Sequence, residues 1–354
     1  MPIEVSRITP LYQLNVMLFL AWPSPPGFVN PIFHTEGFEV RAIEPLLTVP
    51  LPLRTRADAQ RLDIQASGRP DLLLWKQATF DFLLLECKVH SFSANSSSAR
   101  QIRTFLLMSG DDVRDALGQP LTTRWHAHLL AAVGDEPAPM QEMLFDLTND
   151  LTTVGFQAMP NGAVGMQERP DGLYLVPDKR GRYIIEALTT APPEGVRIIS
   201  ADGGWVPRVL YLLPLLDATA PEEEYGRQVV QARLRAALTA AIGREVRHAE
   251  FELDLDDLMR SVTPVWDLIE NRPVKQSLRQ WARAYARMIL RQIQNAADIQ
   301  FEPTARGFAV KGVTPDVRSA IRQYLKSAEY RRGKLIPTEG IQLGFEDLIP
   351  EGWI

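Results

Sequence analysis

Apolar and polar residues alternate along this chain in short, separable runs. Pro10 to Trp22 is apolar almost throughout, with Thr9 placed to cap it and Pro10 in the first turn. That pattern predicts a helix ended by Pro23 to Gly27. Gly37 to Ile43 alternates as a strand does, and the proline-spaced run Leu46 to Leu53 suits a loop or an edge strand. Two apolar strands follow, Asp71 to Trp75 and Phe80 to Val89, around a polar connection at Lys76 to Thr79. A serine-rich loop, Ser91 to Ser98, leads into a helix from about Ser98 to Met108 and a short one at Asp111 to Leu117. Trp125 to Val133 then reads as a strand and Met140 to Val154 as a helix.

A hairpin folded about the middle of the Lys76–Thr79 connection sets Asp71 opposite Glu86. Directly opposed residues have Cβ atoms roughly 4.5–5.5 Å apart, so two carboxylates meet on one face. Side chains alternate along a strand; Lys88 therefore joins Glu86, while Cys87 points the other way. Leu73, Trp75, Phe82 and Leu84 share the carboxylate face, and Leu72, Leu74, Leu83 and Leu85 fill the opposite one. Two apolar faces mark these as central strands. Paired buried acids repel and resist desolvation unless a cation lies between them. Hard divalent ions take carboxylate oxygens and keep several waters, and such a water, beside a lysine, can attack a phosphodiester. The alternative is a buried hairpin in which Asp71 caps a turn and Glu86 and Lys88 form a plain ion pair.

Pro70-Asp71 followed by Glu86-Cys87-Lys88 resembles the signature of the PD-(D/E)xK nuclease superfamily. The resemblance covers roughly residues 8 to 155. It implies an α/β, restriction-endonuclease-like core with a central mixed sheet flanked by helices. It also implies Mg2+, with Mn2+ able to substitute, held by Asp71, Glu86 and the main-chain carbonyl of Cys87. Lys88 would position water or steady the pentavalent charge, and hydrolysis would leave a 5′-phosphate. Gln101, on the helix after the lysine strand, sits where some members carry a glutamine that orients water or substrate. Arg100 and Arg103 beside it are candidates for phosphate contact, the alternative being a solvated helix face. Members often place a further acid on the first helix, but Pro10 to Trp22 contains none. Glu36, Glu39 and Glu44 are the substitutes at hand, Glu36 or Glu44 being preferred.

Arg169-Pro170-Asp171 is followed fifteen residues later by Glu186, the same separation as Asp71 to Glu86. With turn residues at Asp178 to Gly181 this reads as a second hairpin, either a decayed duplication or a chance likeness. Leu188 stands where Lys88 would be, so a second copy would bind rather than catalyse. Further on come a glycine turn at Gly203-Gly204, a buried strand at Val209 to Leu216 and a linker at Ala220 to Tyr225. An amphipathic helix, Arg227 to Ile242, and the acidic run Glu250 to Asp257 follow. The expected division is 1–158 as a nuclease domain, 159–220 as a second α+β region and 221–354 as a basic, mainly helical domain.

The net charge of −5 conceals an uneven distribution: Asn271 to Lys334 carries +10, leaving −15 on the rest. Arg279, Arg283, Arg287 and Arg291 recur every fourth residue, and Arg318, Arg322 and Lys326 repeat the spacing before Arg331, Arg332 and Lys334. Basic side chains sharing a helix face gain affinity for nucleic acid by releasing its counterions. The alternatives are a solvated face, one neutralised by Glu250 to Asp257, or one that meets an acidic protein. Trp281 and Tyr285 suit the core. No helix-turn-helix or zinc-finger pattern is present, so recognition by shape or backbone is favoured over base reading.

A single cysteine, Cys87, rules out intrachain disulfides and fits a reducing cytosol. The run Val16 to Trp22 is too short to span a bilayer and lacks a cleavage pattern, so a cytoplasmic protein without membrane contact is expected. His126 and His128 lack the further ligands of a zinc site, His90 suits a loop, and no P-loop, dinucleotide glycine pattern or serine elbow occurs. The expectation is a metal-dependent nuclease acting on DNA more than RNA, of a restriction or antiphage-defence kind, with protein partners or as a homodimer. The alternative is a nuclease-like module that binds nucleic acid or protein without cutting.

Overall fold

A computed structural model describes residues 8–23, 29–119, 123–134, 136–200, 212–213 and 224–327. The chain divides into two compact units, Met1–Leu210 with Leu268–Asn271, and Tyr211–Asp267 with Arg272–Ile354. The predicted turn at Gly203-Gly204, almost all of the strand Val209 to Leu216, nearly the whole Ala220–Tyr225 linker, and Arg331, Arg332 and Lys334 lie outside the described residues.

In the first unit, α1 (Pro10–Leu20) starts where the sequence placed it: Thr9 Oγ1 accepts the Tyr12 N–H at 3.2 Å, and Pro10 occupies the first turn. After α2 (Ile32–Thr35) comes β1 (Glu39–Ile43). The run expected as a loop or edge strand instead makes a two-residue strand, β2 (Leu47–Thr48), and then a helix, α3 (Leu51–Ala59). The prolines that argued against a helix sit at its start, where their missing N–H costs nothing. After β3 (Ser67–Gly68), the central hairpin is β4 (Leu72–Lys76) and β5 (Asp81–Lys88). Next are α4 (Ser97–Leu107), whose cap Ser96 accepts the Ala99 N–H at 3.1 Å, and α5 (Gly110–Ala116), opened by a Ser109–Asp112 capping box. The first unit continues through β6 (His126–Val133), α6 (Ala138–Thr153), β7 (Asn161–Arg169), β8 (Gly172–Pro177), α7 (Glu186–Thr189) and β9 (Val196–Ser200).

Seven of these strands form one mixed sheet in the order β1-β4-β5-β6-β7-β8-β9. β5 runs antiparallel to β4 and parallel to β6, and β6 runs parallel to β7. Helices flank the sheet, so the unit is α/β. On one face Leu73, Phe82 and Leu84 pack with Ile102, Phe105 and Leu106 of α4 and Leu144 and Leu147 of α6. Leu72, Leu74, Leu83 and Leu85 are buried as well, as expected of strands covered on both sides.

The second hairpin differs from its expected form. Its strands are β7 and β8, Arg169 pairs with Gly172, and the turn falls at Pro170-Asp171 instead of Asp178 to Gly181. Gly172 has φ +154°, and a Cβ there would lie 2.0 Å from the Ile199 oxygen, so glycine fixes the turn. Asp171 is therefore at an exposed tip with Tyr174 and Arg197, while Glu186 opens α7. The two acids are not opposed, and β7 to β9, expected in a separate region, extend the first sheet.

The second unit comprises α8 (Glu224–Glu245), β10 (Phe251–Asp254), α9 (Leu255–Val262), α10 (Arg272–Ala297), β11 (Gln300–Pro303), β12 (Gly307–Lys311) and α11 (Pro315–Lys326). Its strands form an antiparallel sheet in the order β10-β12-β11, which the reading of this region as mainly helical did not include. Leu278, Ala282, Ala286 and Ile289 give α10 a continuous buried face.

Candidate functional site

The register of the central hairpin decides the site. Leu72 pairs with Leu85 and Lys76 with Asp81, so Asp71, one residue before β4, falls opposite Glu86. Asp71 Oδ2 accepts the Cys87 N–H at 2.6 Å. Glu86 is fully buried, and its Oε1 meets Lys88 Nζ at 2.5 Å and accepts from Gln101 Nε2 at 3.2 Å. The Gln101 amide also donates to the Arg69 carbonyl at 2.8 Å, tying α4 to the chain just before Asp71. Glu86 Oε2 has no hydrogen-bond partner among the described residues. A buried carboxylate oxygen left bare is costly, and it marks where a cation would be favoured.

The electrostatics follow from that crowding. Burial pushes the Glu86 carboxyl up to about 8, with the charge of Asp71 adding to the rise and the Lys88 ammonium opposing it. Burial likewise raises Asp71 to about 6; Lys88 and the Cys87 N–H pull it down, and Glu44 pushes it up. For Lys88, burial works against the charged form, but Glu86 and Asp71 outweigh it and hold the pKa above its ordinary value. One ammonium thus serves two acids. The Cys87 thiol is raised by burial and then by Asp71 and Glu86, so it stays protonated.

Of the three substitute acids, only Glu44 lies beside Asp71. Its N–H donates to the Asp71 carbonyl at 3.2 Å, its backbone holds a left-handed φ of +50°, and its carboxylate accepts from Asn271 Nδ2 at 2.6 Å. Arg69 Nη1 donates to the Glu44 carbonyl at 2.6 Å. Glu36 instead caps α7, accepting the N–H groups of Glu186 at 2.9 Å and Ala187 at 3.0 Å. Glu39 pairs with Trp75, at the end of β4 remote from Asp71.

A neighbour the sequence reading passed over is Gln13 of α1. It is fully buried, donates from Nε2 to the Lys88 carbonyl at 2.9 Å, and has an Oε1 without a partner among the described residues. The one available signal was a polar residue within the apolar run Leu11 to Leu20. Among the described residues no three His, Cys, Asp or Glu side chains gather to hold a metal. Two opposed carboxylates, Asp71 and Glu86, are the acids the hairpin brings together. His126 and His128 do not alter that pair; burial lowers the His128 pKa and leaves its Nδ1 unpartnered.

The expected basic contacts divide. Arg103 is buried, donating to the Asp63 carbonyl at 2.9 Å and to Asp150 at 3.3 Å, so it braces α4 and is not available to phosphate. Arg100 is partly exposed, with Nε 3.7 Å from Asp63. Arg279 is held by Asp256 of α9 at 2.7 Å, and Arg283 donates to the carbonyls of Thr304 and Ala305. For Arg279 the acid missing from the helix is supplied by Asp256, within the acidic run Glu250 to Asp257. Nor is the stripe straight: each four-residue step overshoots a full turn by about 40°. Arg287 is half-buried and Arg291 exposed; Arg318 donates to the Arg247 carbonyl at 2.7 Å, and Arg322 and Lys326 are exposed. Trp281 and Tyr285 are partly buried and stack on each other, ring centres 6.0 Å apart.

Compared with known proteins, the chain matches no family model, no curated protein and no solved structure. No helix among the described residues is long and apolar enough to cross a membrane.

Proposed function

We propose that the first unit is a metal-dependent nuclease with a restriction-endonuclease-like core, acting on DNA more than RNA within a cytoplasmic restriction or antiphage-defence system. The observation that carries this reading is the opposition of Asp71 and Glu86 with Lys88 and Gln101 gathered on them. The donor set suits a hard divalent cation: two carboxylates, a bare buried oxygen on one of them, and the Cys87 carbonyl. Mg2+ or Mn2+ held by Asp71, Glu86 and that carbonyl would supply charge neutralisation and a more acidic water. The chain's own groups account for the remainder. Gln101 holds the Glu86 carboxylate in one orientation. Lys88, a quarter exposed, keeps its proton and steadies the negative charge on the phosphoryl oxygens as the water oxygen bonds to phosphorus, its proton passing to solvent, and the P–O3′ bond breaks with O3′ taking a proton from solvent. The product would carry a 5′-phosphate.

A second reading has its own support. Glu44, the one additional acid nearby, is engaged by Asn271, which fits a nuclease-like module that binds nucleic acid or a protein partner without cutting. Incubating the full chain with plasmid, single-stranded DNA and RNA in MgCl2 separates the two. Cleavage by wild type and its loss by at least 100-fold in Lys88→Ala support the enzyme, a drop of the size expected for removing a charge-stabilising group. Salt-sensitive binding with no cleavage in either Mg2+ or Mn2+ sinks it and leaves the module.

A further inference from the structure

A second concentration of charge lies on the first three turns of α10, in the second unit. A groove of about 480 Å3 is lined there by Arg272, Lys275, Gln276, Arg279, Gln280 and Arg283. Their spacing places all six on one side of the helix. Ala305, in the turn between β11 and β12, also lines it, and among the described residues no carboxylate or aromatic side chain does.

Two of the cations are already fixed. Arg279 gives Nε and Nη2 to Asp256 at 3.0 and 2.7 Å, and Arg283 gives Nη1 and Nη2 to Thr304 and Ala305 carbonyls at 2.8 and 2.9 Å. These bonds use part of each guanidinium's five donors and hold its plane still. The remaining N–H groups are presented with little freedom left to lose on binding. Arg272 and Lys275 make no ion pair among the described residues; Lys275 Nζ lies 5.0 Å from the centre of the Trp266 ring. Burial lowers the Lys275 pKa; Asp267 and Asp256 oppose that, and Arg279 and Arg260 add to it. Four lining cations against one paired carboxylate leave an excess of three positive charges. Like charges three and four residues apart on a helix repel, and no ion pair of Arg272 or Lys275 among the described residues offsets that.

We propose that the groove seats the phosphodiester backbone of a nucleic-acid strand, through successive phosphates and without reading bases. Arg272 to Arg283 spans about 16 Å of helix, which is more than one phosphate needs and enough for several along a strand. Arginine forks and glutamine amides are donors that suit phosphate oxygens. Among the described residues no aromatic ring lines the groove, so bases gain no stacking partner there and stay outside. The site lies wholly in the second unit and does not depend on hydrolysis at Asp71 and Glu86.

Fluorescence anisotropy with short labelled single-stranded and duplex oligonucleotides tests this on the full chain, in EDTA and across a KCl series. Arg272→Glu with Lys275→Glu is expected to weaken binding at least roughly tenfold and to make the log–log salt dependence shallower by about 1 to 2, given 0.7–0.9 for each phosphate contact. The milder pair Arg272→Ala with Lys275→Gln, checked by circular dichroism, is expected to act in the same direction if the reversal disturbs folding. Arg244→Glu, exposed near the end of α8 and outside the groove, is expected to leave affinity within about twofold. Unchanged affinity and salt slope in both groove variants overturn the proposal, as does an equal loss from Arg244→Glu or no binding by wild type at low salt. If cleavage fails while groove-dependent binding stands, the hydrolase reading alone has failed.

Discussion

Replacing the acid pair by its neutral isosteres, Asp71→Asn with Glu86→Gln, tests the electrostatic reasoning directly. In the folded chain Asp71 titrates near 6 and Glu86 near 8, against ordinary values of 3.8 and 4.5. Both are raised, so between about pH 4 and pH 8 the folded state holds more protons than the unfolded one. Their contribution to stability is fully present below about pH 4 and is lost as pH climbs through 6 and 8. One pKa unit corresponds to about 1.4 kcal/mol, so the pair together costs the metal-free protein on the order of several kcal/mol by pH 9. Calorimetric melting in EDTA should show wild type losing stability from pH 5 to pH 9, and the double variant losing markedly less. Saturating MgCl2 or MnCl2 at pH 8 should restore wild type by about 3 kcal/mol at a hundred times its dissociation constant, and leave the variant unmoved. Parallel pH profiles for the two proteins, or equal stabilisation of both by the divalent ion, would refute the argument that the carboxylates are held together at a cost which a cation relieves.

Other consequences are simpler to read. Gln13→Leu removes the bond to the Lys88 carbonyl and leaves that oxygen bare, so it should lower stability by about 1–3 kcal/mol in urea titration. Arg103→Ala should cost about 1–3 kcal/mol by the same measurement, because the buried guanidinium satisfies the Asp63 carbonyl and meets the half-exposed Asp150. Gel shifts with the same variant should show no loss of nucleic-acid affinity if it still folds. Gly172→Ala should destabilise by more than about 1 kcal/mol, since its Cβ meets the Ile199 oxygen at 2.0 Å; a neutral result would remove the account of the β7–β8 turn.

The central hairpin was legible because two local signals agreed. Strand alternation assigned each leucine to a face, and the polar connection fixed the register, so Asp71 and Glu86 could be opposed on paper before any packing was known. The helix start at Thr9 was readable for a similar reason, since a cap acts over three residues, whereas the caps Ser96 and Ser109 went unread. The misreadings concern competition or distance. At Pro170-Asp171-Gly172 the glycine's conformation outweighed the turn residues farther on. At Pro50 to Leu53 the prolines opened a helix. Arg279 looked unpaired because Asp256 reaches it from another element, and Glu36 looked catalytic because the backbone it caps is 150 residues away in sequence. Gln13 is legible as an anomaly in an apolar helix, but its target, the Lys88 carbonyl, is set by tertiary packing alone.

The return of Leu268–Asn271 to the first unit limits how the protein can be dissected. Ile269 bridges to Ile43, Glu270 donates its N–H to the Ile43 carbonyl at 3.0 Å, and the Asn271 amide grips Glu44 beside Asp71. A fragment stopped at residue 210 would retain Asp71, Glu86 and Lys88 yet lack the clasp on Glu44. Loss of function after such a truncation would therefore say nothing about where ligands bind, and interior point substitutions are the cleaner scalpel.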